Sequence, residues 1–355
     1  MKIKPLKKRS GENKMSTNKI ETPTSNIITV ENLSKNFGNL KAVDNVSFYV
    51  KEGEIFGFLG PNGAGKTTTI NMLTTLLKPT SGKAVVCGFS IFKDPNEVRR
   101  SVGVVPQEYT ADEDMSGINN IILCADLYGM PRSDSKAHAK ELLKLVELED
   151  AANRKVSTYS GGMRRRLELA CCLINYPKLL FLDEPTLGLD VQTRAAVWKY
   201  IKTLKEEYRM TLFLTTHYLE EADSLCDRIG IIDHGHLVKI GTPEELKESV
   251  GGDVMVVDVK ENEPDISSEI ALIQLVRDVK KQNNVYRIKV NDGEEASPQI
   301  IDLIRSKGLH VTRISLTKPS LDEAYLELTG RTLREEEVDK LQMFRQRVTM
   351  RRARS

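Results

Sequence analysis

Apolar residues fall into short runs divided by polar stretches, and the period of the runs changes along the chain. Ile27–Val30 and Ala42–Val50 have the texture of short strands, with Phe37-Gly38-Asn39 as a turn between them. Residues 53–60, GEIFGFLG, form an apolar strand that runs into a glycine-rich turn, and residues 66–77 follow as a helix. Residues 112–158 are mostly helical in pattern, and Pro131 breaks two helices apart. Residues 178–185, KLLFLDEP, make another buried strand, 210–217 a third, and 228–241 a hairpin that turns at Asp233-His234-Gly235-His236. Trp198 and Tyr200 stand at the core spacing of a helix and read as packing residues. Strands alternating with helices predict an α/β core with parallel strands.

The pattern changes after Gly251-Gly252. Residues 253–260 alternate as a strand should, 266–274 suggest a short helix, and 276–290 read as a hairpin around Asn283-Asn284. Residues 297–308 read as a helix with Ser297 as N-cap, 309–316 as a strand, and 320–330 as a helix between Ser320 and Gly330. This β-α-β-β-α-β-α order predicts a small α+β domain of ferredoxin-like order. The expected organisation is a polar, disordered segment at 1–25, an α/β domain at 26–250, the small domain at 251–330, and a charged, net basic tail at 331–355.

Composition narrows the class. Of the 355 residues 40% are hydrophobic and 29% charged, which excludes fibrous, low-complexity and wholly disordered chains. No apolar run approaches the roughly 18 residues of a membrane-crossing helix, and the basic stretch 1–14 lacks the apolar core of a secretory signal. Met15 offers a second possible start. The five cysteines make no C-x-x-C pair, so reduced thiols are expected rather than a zinc site or a disulfide framework. The net charge of +2 hides basic ends around an acidic body, which argues against a nucleic-acid-binding face.

Three motifs carry chemistry. Gly60-Pro61-Asn62-Gly63-Ala64-Gly65-Lys66-Thr67-Thr68 fits the phosphate-binding pattern, with the required strand before it and helix after it. Its glycines let backbone amides curl around phosphates, Lys66 reaches the β- and γ-phosphates, and the Thr67 hydroxyl suits Mg²⁺. Leu179–Pro185 ends an apolar strand on Asp183, a Mg²⁺ ligand candidate, followed by Glu184 where a carboxylate can orient the attacking water. Tyr159-Ser160-Gly161-Gly162-Met163 opens a helix with a second anion-binding turn.

In this order the motifs resemble those of the ATP-binding subunits of ABC transporters, over roughly residues 27–250. The Walker A loop would be 60–67, the Q-loop glutamine Gln107, the signature 159–163, Walker B 179–184, the D-loop aspartate Asp190 and the switch histidine His217. Phe37 stands where the family stacks an aromatic ring on adenine. The C-terminal part, with SLDEAYLELTG at 320–330 and Met163 in the signature, looks like the drug-resistance-type exporter ATPases. The resemblance implies a P-loop NTPase of ABC type with a helical subdomain at about 108–175, binding ATP and Mg²⁺. It implies catalytic roles for Glu184, His217 and Gln107, and Mg²⁺ contacts from Thr67, Gln107 and Asp183. It also implies a dimer in which Ser160, Gly161, Gly162 and Asp190 of one chain complete the ATP site of the other. The partner would be a separate transmembrane permease, the location the cytoplasmic face of the plasma membrane, and no nucleic acid is expected. The alternative is a non-transport ABC ATPase acting on ribosomes or nucleic acid. A single cassette, and a gap from Thr68 to Tyr159 without sustained heptads, count against it.

Overall fold

Five consecutive buried residues make Ile55–Leu59 a strand that needs cover on both faces, and the rest of the larger unit supplies it. The computed structural model describes residues 26–249, 251–260 and 264–330, so the expected segments 1–25 and 331–355 lie outside the described residues. The chain divides into two compact units at Ile240/Gly241.

The first unit opens with strands β1 (Asn26–Phe37) and β2 (Leu40–Lys51), β3 (Ile55–Leu59) and helix α1 (Lys66–Leu73). The first two strands run further than expected, because alternate residues continue to bury along both. Helix α1 is shorter than expected and ends before Thr74, whose hydroxyl back-bonds to the Ile70 carbonyl at 2.8 Å. Then come β4 (Ser81–Val86), β5 (Phe89–Ser90), α2 (Pro95–Ser101) and β6 (Val102–Val105). Helices α3 (Gly117–Leu127), α4 (Arg132–Leu145) and α5 (Gly161–Leu173) make the helical segment, with Pro131 at the N-cap of α4 as the break between helices requires. The unit closes with β7 (Leu179–Asp183), α6 (Val191–Glu206), β8 (Thr211–Thr216), α7 (Leu219–Leu225), β9 (Arg228–Asp233) and β10 (His236–Gly241).

Two sheets result. One has the order β2-β1-β4-β5 and is antiparallel; the other has the order β10-β9-β3-β8-β7-β6, with parallel pairing from β9 through β6. Between them Phe48 of the first sheet meets Phe56, Phe58 and Phe213 of the second, with ring centroids 5.0 to 6.0 Å apart. These rings belong to one buried apolar cluster that includes residues of both sheets. Register aligns the strand ends. Leu59 lies beside Thr216, Asp183 beside Thr215, and Val105 beside Leu182, so the parallel strands end together along one edge.

The second unit contains α8 (Pro243–Glu248), β11 (Asp253–Val259), α9 (Ser267–Ile270), β12 (Val276–Gln282), β13 (Val285–Val290), α10 (Gly293–Ser306), β14 (Val311–Thr317) and α11 (Leu321–Thr329). Its antiparallel sheet has the order β12-β13-β11-β14, the strand order of a ferredoxin-like domain. Met255, Val257, Tyr286, Ile288 and Val290 bury against Ile300 and Ile304 of α10. Helix α8, before the glycine pair, belongs to this unit.

Two expectations need correction. The helix expected at 266–274 is a single turn, Ser267–Ile270. Ser297 is not an N-cap: the cap of α10 lies five residues earlier, where Asp292 accepts hydrogen bonds from the Glu294 and Glu295 amides at 2.9 and 3.0 Å. Ser297 lies inside the helix and bonds back to the Gly293 carbonyl. The Ser297-Pro298 pair looks like a helix start, but a cap carboxylate with two glutamates in the first turn suits the positive helix end better. Asp292→Ala is therefore expected to lower the stability of the second unit by about 1 kcal/mol, and Ser297→Ala by much less. Urea unfolding of both variants checks this, and the reverse ranking would contradict the assignment.

Candidate active site

The phosphate loop is shaped by contacts that leave no room for side chains. A Cβ on Gly60 would lie 2.1 Å from the Ile232 carbonyl oxygen. Gly65 has φ 104° and a Cβ there would sit 2.5 Å from the Ala42 carbonyl, so only glycine fits. Gly65 is also the N-cap of α1 and caps it with no side chain, which leaves the first-turn amides for an anion. The loop is braced from behind: the Gly235 amide donates to the Ala64 carbonyl at 3.0 Å, and the Asp44 amide to the Gly235 carbonyl at 2.8 Å. His234 and His236 of that bracing turn are exposed, as the sequence leads one to expect of a solvated turn. Asn62, Gly63 and Thr67 are exposed, Thr68 is half-buried, and Pro61, Ala64 and Lys66 are buried.

Lys66 is the hub. Its ammonium donates to the carbonyls of Gly60 and Pro61 at 2.7 and 3.1 Å and pairs with Glu184 Oε1 at 3.1 Å. Both partners of that pair are buried, with 4% and 5% exposure. Glu184 holds a left-handed backbone, φ 49°, and its amide donates to both the carbonyl and the hydroxyl of Thr215 at 3.1 Å. Its second carboxylate oxygen bonds His217 Nδ1 at 3.1 Å. Burial pushes the Glu184 carboxyl up, but the His217 hydrogen bond and the Lys66 charge outweigh it and hold it below the ordinary glutamate range. Asp183 ends β7 and accepts from the hydroxyls of Thr215 at 2.5 Å and Thr67 at 3.1 Å. Burial raises its carboxyl above the ordinary aspartate range; the Thr215 and Thr67 hydroxyls oppose this, and Glu184 reinforces it. The Thr67 hydroxyl and Asp183 carboxylate are hard oxygen donors side by side, a set that fits Mg²⁺.

A second cluster forms around the signature. Ser160 caps α5 by accepting from the Met163 amide at 3.3 Å. Gly162 lies so close to α6 that its Cβ would be 2.3 Å from Thr193 Cγ2; Gly161 is exposed beside it. Asp190 caps α6, accepting from the amide and hydroxyl of Thr193 at 2.9 and 2.7 Å, and these bonds lower its carboxyl. Gln107 follows β6 and is exposed, and Phe37 is exposed at the end of β1 with the Lys35 ammonium 5.1 Å from its ring centre. The structure thus unites Lys66, Thr67, Asp183, Glu184 and His217 by direct bonds. Ser160 and Asp190 serve locally as the caps of α5 and α6, and Phe37 and Gln107 lie exposed at strand ends.

Sequence reasoning missed several contributors. Thr215 bonds both carboxylate residues, and its place one residue before the end of an apolar strand was the available signal. Trp198 is not only a packing residue: its indole donates to Glu221 at 2.9 Å, and Thr186 donates to the same oxygen at 2.8 Å. This ties α6 and the loop after β7 to the helix following His217. Tyr200 is buried, as its spacing implies.

The comparisons with known proteins follow the same lines. Residues 43–187 match the ABC transporter family, and residues 241–329 match the C-terminal domain of ATP-binding proteins like DrrA1-3. The daunorubicin resistance ATP-binding protein DrrA3 of Streptomyces coeruleorubidus is 40% identical, over 85% of this chain and 96% of that one. The linearmycin resistance ATP-binding protein LnrL of Bacillus subtilis is 36% identical, over 87% of this chain and all of that one. A dimeric ATP-binding cassette solved in a post-hydrolysis state with ADP and Pi superposes with a TM-score of 0.55 at 30% identity, covering 61% of this chain and 98% of that one. With the phosphate loop, the buried carboxylates, the signature turn and the appended ferredoxin-like unit in place, the chain belongs to the ABC transporter family as an ATPase subunit of the DrrA-like type.

Proposed function

We propose that this chain works as half of an ATP-hydrolysing pair that powers a separate transmembrane exporter. One observation carries the reading. Lys66, Asp183, Glu184 and His217 gather around the phosphate loop, while Ser160 and Asp190 cap the separate helices α5 and α6, with Gly162 packed against α6. A second copy that brings its Ser160 and Gly162 to the first copy's Lys66 would supply the missing donors to the γ-phosphate. The dimeric cassette with ADP and Pi supports this arrangement.

The chemistry follows from the charges. The γ-phosphate competes with Glu184 for Lys66, and Glu184 then keeps His217 while its other oxygen accepts from the attacking water. Held by His217, Glu184 orients and polarises the attacking water. That suits a loose phosphoryl-transfer transition state. Mg²⁺ would be held by Thr67 and Asp183, with Gln107 as a further ligand, and would neutralise phosphate charge. Phe37 would stack on the adenine.

The membrane part is assigned to another polypeptide; no helix among the described residues is long and apolar enough to cross a bilayer. Helix α3 exposes Leu123 and Leu127, one turn apart, with Tyr128 beside them, a fitting seat for a cytoplasmic helix of the permease. The chain would then sit at the cytoplasmic membrane face. Relatives named for daunorubicin, doxorubicin and linearmycin resistance favour a drug-like compound as cargo.

Glu184→Gln is expected to cut ATP hydrolysis by about 10²- to 10⁴-fold while ATP still binds. With ATP–Mg²⁺, light scattering should show this variant shifting from one chain's mass to two, and Ser160→Arg should abolish the shift. A variant that stays monomeric with normal ATP binding defeats the paired-site reading.

Stability should also respond to the buried carboxylates. Because folding raises the Asp183 carboxyl, its contribution is favourable below the unfolded value and is lost as pH rises through the folded one. At neutral pH the charge therefore costs stability. Asp183→Asn keeps the oxygen that Thr67 and Thr215 donate to, so it is expected to melt higher than the parent at about pH 7 and to lose that advantage near about pH 4. Its ATPase activity should be abolished. A melting temperature below the parent's at neutral pH would contradict this.

A further inference from the structure

The catalytic cluster makes no use of the buried pair Arg165 and Glu168. Both lie on α5, the helix that Ser160 caps, and both are almost fully buried. Arg165 donates to the Pro106 carbonyl at 2.7 Å and to the Gln107 carbonyl at 2.8 Å. It also pairs with Glu168 at 3.2 Å. Glu168 in turn accepts from the amide and the hydroxyl of Thr110. The loop from Pro106 to Thr110 is therefore gripped at both ends by one helix. Tyr109, between the grips, lies under the Arg165 guanidinium at 5.0 Å and donates its hydroxyl to the Gly161 carbonyl at 3.2 Å.

Burying two charges is expensive, and apolar residues of similar size generally pack at least as stably. The bonds here are spent on backbone groups of the Gln107 loop, so their effect is on position. We propose that Arg165 and Glu168 are positioning residues that make the Gln107 loop and the signature turn of one chain move as a single piece. The inference rests on the paired-site reading. In a pair, Ser160 and Gly162 face the ATP held by the partner, while Gln107 borders the ATP held by its own Lys66. One rigid helix then spans both sites, and closure on one ATP sets the loop at the other. The clamp is a route for cooperativity between the two ATP molecules.

Steady-state ATPase measurements on the full chain with its transport partner test this, alongside light scattering in the Glu184→Gln background. The unaltered chain is expected to dimerise with ATP and to show a Hill coefficient approaching about 2. Arg165→Met combined with Glu168→Leu replaces the pair with apolar bulk. It should bring the coefficient to about 1 and lower kcat by about tenfold, with KM for ATP within about twofold. Tyr109→Phe is the milder variant. It loses only the hydroxyl bond to Gly161 and should give an intermediate coefficient with an unchanged melting temperature. If the double variant does not fold, the Tyr109→Phe result decides. A dimerising parent whose variants keep its cooperativity, or a dimerising parent with none, overturns this inference alone. A parent that stays monomeric overturns the paired-site reading and this inference with it.

Discussion

Two adjacent carboxylates buried at the end of one strand impose the constraint that organises the larger unit. Asp183 and Glu184 cannot both be carried away from water without compensation, since an unpaired buried charge costs several kcal/mol. The compensation comes from four directions: Lys66 from the phosphate loop, Thr67 from the first turn of α1, Thr215 from the neighbouring strand and His217 just beyond it. Each donor arrives because parallel strands end in register, and the register holds because apolar residues fill both faces of the sheet. The same charge balance that lets the site fold is what a phosphate group can disturb, so binding and catalysis draw on one set of interactions.

Much of this was legible from the residues. Strand β3, the glycine-rich turn and α1 are a pattern with few alternatives, and the apolar run before Asp183 left little choice about where that carboxylate lies. The ferredoxin-like order of the second unit followed from alternation and turns. The failures have physical causes. Thr215 was passed over because a threonine in a β-rich apolar run is normal strand composition; its place near the strand end hinted at the site, and the register shows what its hydroxyl reaches. Arg165 and Glu168 sit in a run of arginines that reads as a solvated helix face, yet one guanidinium turns inward to two carbonyls. Asp292 lost to Ser297 as the helix start because Pro298 advertised a first turn that the chain had already begun.

The structure divides the labour of charge. In the catalytic cluster buried charges face one another and remain open to exchange of partners. In the Arg165–Glu168 clamp the charges hold main-chain groups of a single loop. The first arrangement suits a group that must respond to a ligand, the second one that must not yield.

The brace between Gly235 and Ala64 has a consequence for how the chain is made. The phosphate loop leaves the ribosome early, but the strands flanking β3 and the turn that supports Ala64 are translated much later. At about 5–20 residues per second that delay is on the order of ten seconds or more. Until β8 and β9 emerge β3 lacks its strand partners, and until Gly235 does the loop lacks its brace. A nascent chain therefore acquires nucleotide affinity late and nearly all at once, and a product truncated before β9 is a hydrophobic fragment rather than a partial ATPase.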